Sequence, residues 1–221
     1  MTKIKNFRVN LRPREIARWL KKERGLETTP ELELTIGEAV KEAKRWVTPA
    51  AVYTTLTRKT AEKTTPIPLP PEAVALSVVV VSIGIGLEAE RKASASDLPR
   101  EMLLAALEQE ALAQSLQFTV RLIGEQAEEE DCEMTSPVSV QDLPTGQAGL
   151  PAGRQGLLAS LATLLGVARI GIQFDPSAPE PPLYVRVAYW FWTPAGKGPS
   201  RRAEPGGTPA SRQAGAEKVT A

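Results

Sequence analysis

The stretch LSVVVVSIGIGLEAE, Leu76 to Glu90, decides how the chain is read. Four valines run into two spaced glycines and then into an acidic segment with helical character. A membrane span is excluded by length. The apolar run lasts about ten residues before Glu88, and a spanning helix needs about 20. A dinucleotide-binding turn fits poorly as well. That fingerprint needs a third glycine three residues after Gly86, where this chain has Ala89. It also needs a helix N-terminus free to face pyrophosphate, whereas Glu88 and Glu90 place carboxylates there. What remains is a strand buried on both faces, ending in a tight turn into a helix.

Working outward, residues 13–24 read as a helix, opened by Pro13 and closed by Gly25, with Ile16, Trp19 and Leu20 on one face. A second helix is expected over TIGEAVKEAKRWV, with Thr35 and Glu38 as a capping box. Val52 to Thr57 is rich in β-branched and aromatic residues and suits a strand. The prolines from Pro66 to Pro71 make an extended loop. Leu87 to Lys92 starts a short helix. A long one follows from about Pro99 to Glu128, with Leu103, Leu107, Ala111, Leu112, Leu116, Val120 and Ile123 at helical spacing. That stripe is core packing. The acidic run Glu128 to Asp131 after it lacks calcium-loop spacing and reads as a solvated turn.

Further on, a helix closed by Gly166 precedes a strand expected from Arg169 to Phe174. The last strand alternates, with Tyr184, Arg186 and Ala188 on one face and Val185, Val187 and Tyr189 on the other. Its aromatic end, Tyr189 to Trp192, suits either core or an interface patch. Residues 145–156 read as an inserted low-complexity loop. The ordered domain is expected to span 1–194, with 195–221 a disordered tail.

Composition narrows the chemistry. The chain has 221 residues, 42% of them hydrophobic, a net charge of +1, one cysteine and no histidine. A domain of this size buries about 70% of its unfolded surface. The near-zero charge predicts no general attraction to nucleic acid or to an anionic membrane. Cys132 alone forms no intrachain disulfide and no cysteine-cluster metal site. Without histidine, Ser-His-Asp triads, Cys-His pairs and His-ligated zinc are all excluded. The charged N-terminus lacks a secretory apolar region, and a cytoplasmic location is the expectation.

The order of motifs then becomes informative. A strand ending in Ser82, Ile83 and Gly84 precedes a helix carrying Leu104, Ala105, Glu110 and Ala111. Ser136, Pro137 and Val138 follow, then Asp142, Leu143 and Pro144, then a helix and strand over Leu157 to Gln173. This succession resembles the activation domain of cobalamin-dependent methionine synthase, and its free-standing relatives associated with corrinoid proteins, over roughly residues 8–190. The resemblance implies an α+β fold: a twisted antiparallel sheet flanked by helices in a C-shaped single domain. It implies S-adenosylmethionine as cofactor, cobalamin carried by a partner, and a corrinoid protein or cobalamin-dependent methyltransferase as that partner. It assigns ligand binding to Met134, Ser136, Pro137, Val138 and Ser139, beside the Ser82 to Gly86 turn. No residue is assigned as catalytic and none as a metal ligand, because the sulfonium activates its own methyl group and the protein supplies positioning.

The departures from that pattern are specific. Met134 stands where the family has an arginine, Val138 where it has a glycine, Ser139 where it has an aromatic residue, and Ala105 where it has an aspartate. Loss of a buried charged hydrogen-bond partner typically costs about 2–5 kcal/mol of binding. Two functions follow: an accessory protein supporting reductive reactivation of a corrinoid, or an adaptor of the same fold that no longer binds the ligand.

Overall fold

In the computed structural model, residues 1–143, 153–172 and 182–196 are described. The central apolar run is β3 (Ala75–Ser82), and all eight of its residues are buried. It lies between β2 (Ala50–Thr57) and β6 (Val185–Pro194), and pairs antiparallel with both. β1 (Thr2–Lys5) extends the sheet beyond β2, while β4 (Cys132–Met134) and β5 (Val138–Ser139) share the far side of β6. Every pairing is antiparallel.

A continuous apolar strand needs cover on both faces, and both are covered. Ala75, Val79 and Val81 of β3 join a core built with α1 (Pro13–Arg24), α2 (Pro30–Ala43), α4 (Gly86–Ala93) and α5 (Leu98–Glu129). Leu76, Val78 and Val80 join a second core with α3 (Arg58–Thr64), α6 (Gly153–Leu165) and the 3-10 turn Val167–Ile170. Each fully buried valine contributes about 1.5–3 kcal/mol. The protein is therefore α+β, an antiparallel sheet between two helical layers.

Local signals explain most boundaries. Pro13 opens α1, and Gly25 (φ +68°) closes it, with the Leu26 N–H donating to Leu20 O. α5 is capped by Asp97, whose Oδ1 accepts from the Arg100 N–H at 3.1 Å. α2 departs from expectation. It begins at Pro30 with Thr29 as cap, accepting from the Leu32 N–H at 3.2 Å. Thr35 lies inside the helix, and its hydroxyl donates back to Glu31 O. Proline at the first helical position after a threonine outcompetes the later Thr35–Glu38 pair.

Three other expectations change. No strand begins at Arg169: glycines at positive φ, Gly166 and Gly171, bracket a 3-10 turn, and Gln173 and Phe174 lie outside the described residues. Gly153 to Gly156, read as the end of a loop, form the first turn of α6, whereas 145–152 lie outside the described residues. The aromatic run is not an interface patch. β6 is an interior strand, and Tyr189, Trp190 and Trp192 are all buried. Of the expected tail, 197–221 lie outside the described residues. Among the described residues no helix is long and apolar enough to cross a membrane.

The opening glycines serve geometry. Gly84 has φ +76°, a conformation that favours glycine, and Gly86 packs directly on the Trp46 backbone.

Candidate functional site

The resemblance placed the ligand residues between Met134 and Ser139, and the fold makes this segment an interrupted sheet edge. Met134 pairs with Trp192, and Val138 pairs with Tyr189. Three residues, Thr135 to Pro137, thus face only two on β6. The extra residue makes a bulge, a device that redirects side chains at sheet edges. Thr135 holds it from both ends: its N–H donates to Phe191 O at 3.0 Å, and its hydroxyl oxygen accepts from the Phe191 N–H at 3.1 Å. Pro137 has no N–H to donate, which suits an unpaired position. Thr135, Ser136 and Pro137 are exposed.

Beyond β5 the edge is completed by a side chain. Gln141 Nε2 donates to Val185 O at 3.1 Å, and its Oε1 accepts from the Val187 N–H at 3.2 Å. A primary amide offers a donor and an acceptor at the spacing of a peptide group, so Gln141 continues the ladder. Nothing in a lone glutamine of the sequence announces this.

The five residues assigned by resemblance do not form one surface. Met134 turns inward: a methyl group placed on Gly124 of α5 would lie 3.3 Å from its Cε. Val138 is half-buried against the second core, on the other side of the sheet. Ser136 and Pro137 are open, and Ser139 is half-buried. The Ser82 to Gly86 turn sits at the opposite end of the edge from Met134. Ser82 is level with Val185 on β6, whereas Met134 is level with Trp192 and Ala75. Seven strand positions separate them, about 23 Å. Only the Gln141 end of the segment approaches the turn.

Glu110, a position matched by resemblance, has a partner within the chain. Arg12 Nε donates to its Oε1 at 2.7 Å and Nη2 to its Oε2 at 3.4 Å, and the Arg12 N–H also reaches Oε1. This fork ties the entry of α1 to the middle of α5 and raises the Arg12 guanidinium above its ordinary value. Ala105 is buried and apolar.

A second group of charges lies between α4, α5 and the start of β6. Glu108 is 1% exposed, and neither carboxylate oxygen has a hydrogen-bond partner. Arg91 Nη1 stands 3.5 Å from it and Arg91 Nε 3.8 Å from Glu101, while Lys92 pairs with Glu88 at 2.6 Å. Arg186 Nη2 donates to Gln109 Oε1 at 2.9 Å, and its Nε has no partner. The signal was present in the sequence: Glu108 falls four residues after Leu104 and three before Ala111, on the apolar stripe. Burial raises the Glu108 carboxyl above its ordinary value, opposed by Arg91 and reinforced by Glu88 and Glu101.

That direction has a measurable consequence. A carboxyl raised in the folded state stabilises fully below its unfolded value of 4.5, and the contribution is lost as pH rises through the folded value. Glu108→Gln stays neutral throughout. It is expected to exceed the wild type in stability by about 1 kcal/mol at neutral pH, the gap closing towards pH 4.5. Urea denaturation across that range measures it; a less stable variant at pH 7 would show that the ion pair with Arg91 outweighs burial.

Among the described residues no group of three or more His, Cys, Asp or Glu side chains is placed to hold a metal ion. No protein-family model matches the sequence, and no curated protein matches it either. Among solved structures, the fold is similar to the MetH reactivation domain bound to AdoHcy, with a TM-score of 0.55 and 12% identity, over 89% of this chain and 79% of that one. At that identity the likeness establishes the fold.

Proposed function

We propose that the chain is an accessory protein of cobalamin-dependent methyl transfer, built on the reactivation-domain fold and serving a corrinoid partner. Likeness to a reactivation domain over nine-tenths of the chain supports this reading most directly. The bound AdoHcy in that neighbour supports an S-adenosyl compound as ligand. S-adenosylmethionine, when bound, supplies an electrophilic methyl group to cobalt(I) on the partner, and the chain's task is to hold and orient it.

The residues fit that ligand only in part. The hydroxyl of Ser136, the bulge backbone at Thr135 to Pro137 and the half-buried Ser139 are open to it. Met134 supplies no cation for its carboxylate, and Val138 gives its side chain to the second core. The inward packing of Met134 on Gly124 favours the second reading, an adaptor of the same fold that has given up the ligand.

Calorimetric titration with S-adenosylmethionine and S-adenosylhomocysteine separates the two. The first reading expects saturable micromolar binding. Absence of heat at millimolar ligand overturns it and leaves the adaptor.

A further inference from the structure

A groove of about 430 Å³ opens where α1, α2 and the first turns of α5 meet, at the other end of α5 from Gly124, on which Met134 packs. Its floor is Leu20, Leu32, Ala39 and Leu103, and Leu26, 38% exposed, forms a lip. On α2 the apolar floor runs from Leu32 to Ala39, about 10 Å at helical rise. That length matches two turns of a docked helix, whose anchors recur at i, i+3, i+4 and i+7.

The rim gives the partner its charge. Glu38, Glu42 and Asp97 carry three carboxylates, against one guanidinium from Arg100. Arg100 already leans on Glu42, 3.7 Å away with both half-exposed, an arrangement an incoming cation would replace at little cost. Asp97 Oδ1 accepts the Arg100 N–H as the helix cap, which holds its carboxylate at the mouth.

The chain's own residues 197–221 lack the anchors such a groove would take: they contain no leucine, isoleucine, methionine or aromatic residue.

We infer that this groove docks an amphipathic helix of a partner protein, with leucine-type anchors on one face flanked by lysine or arginine. Apolar burial supplies the affinity, and the carboxylate rim supplies selection and association rate.

The test uses a fluorescein-labelled helical peptide of leucine and lysine, with leucines at i, i+3, i+4 and i+7, titrated against the full chain by anisotropy. Saturable binding is expected. The double variant Glu38→Lys/Glu42→Lys weakens it at least tenfold, Leu26→Ser weakens it several-fold, and Arg100→Ala tightens it about threefold. These side chains are exposed or half-exposed, and circular dichroism confirms that each variant is folded. Reversing Glu128 and Glu129 to lysine, at the other end of α5, leaves binding unchanged. Equal weakening by that reversal, or equal binding of a peptide with glutamate in place of lysine, would reduce the effect to general adhesion and overturn the inference. Sedimentation showing a dimer that Glu38→Lys/Glu42→Lys disperses would also overturn it, since the occupant would then be a second copy.

Discussion

Replacing Gly86 by alanine is expected to lower stability by about 3 kcal/mol, a fall in Tm of roughly 10 °C for a domain of this size. A Cβ at Gly86 would run into the Trp46 carbonyl oxygen and lie 3.0 Å from both Cα and Cβ of Trp46. The obstacle is backbone, so no change of rotamer relieves it. The two segments are also fastened together, because the Thr48 N–H donates to Ile83 O at 2.8 Å. Relief therefore means moving α4 away from the α2–β2 connection. Gly37, in mid-helix with nothing within 4 Å of an added Cβ, is the control. Gly37→Ala is expected to be neutral or stabilising by about 0.5 kcal/mol. Thermal unfolding of the pair measures both. Equal Tm values for Gly86→Ala and the wild type would contradict the close approach on which the turn depends.

Trp192→Ala is expected to cost about 3–5 kcal/mol. The indole is 1% exposed, and its Nε1 donates to Ser77 Oγ at 2.9 Å, with Ser77 and Thr55 hydroxyls in turn 2.8 Å apart. Truncation opens a cavity in the first core and strips one partner from a buried hydroxyl. Trp192→Phe keeps most of the apolar volume and isolates the polar part, at about 1–2 kcal/mol. Because Trp192 also pairs with Met134, the alanine variant is expected to loosen β4 as well. Urea denaturation gives the stabilities, and the difference between the two variants is the check. A phenylalanine variant as unstable as alanine would place the energy in the hydroxyl network rather than in packing.

How much of this was legible in the sequence depended on whether the deciding interaction was local. The valine run, the helix from Pro13 to Gly25 and the alternation of the last strand follow from neighbours in the chain, and the structure contains all three. The start of α2 was misplaced because two cap signals six residues apart competed, and the one carrying proline prevailed. The 3-10 turn at Val167 was missed because β-branched residues suit a strand, while the glycines on either side dictate otherwise. The candidate edge shows the same division. A proline after Ser136 marks a break in any reading. That Met134 turns onto Gly124, or that Gln141 completes the ladder of β6, depends on contacts with residues 10 and 44 positions away. Glu108 was masked by its surroundings, since a long apolar stripe draws attention to its leucines.

The most direct test of the proposed ligand edge is hydrogen exchange of the full chain with and without S-adenosylhomocysteine. The expected result is slowed exchange confined to amides of residues 134–141 and their partners on β6, with the groove beside α2 unchanged. Identical exchange at saturating millimolar ligand, or protection elsewhere only, would contradict it.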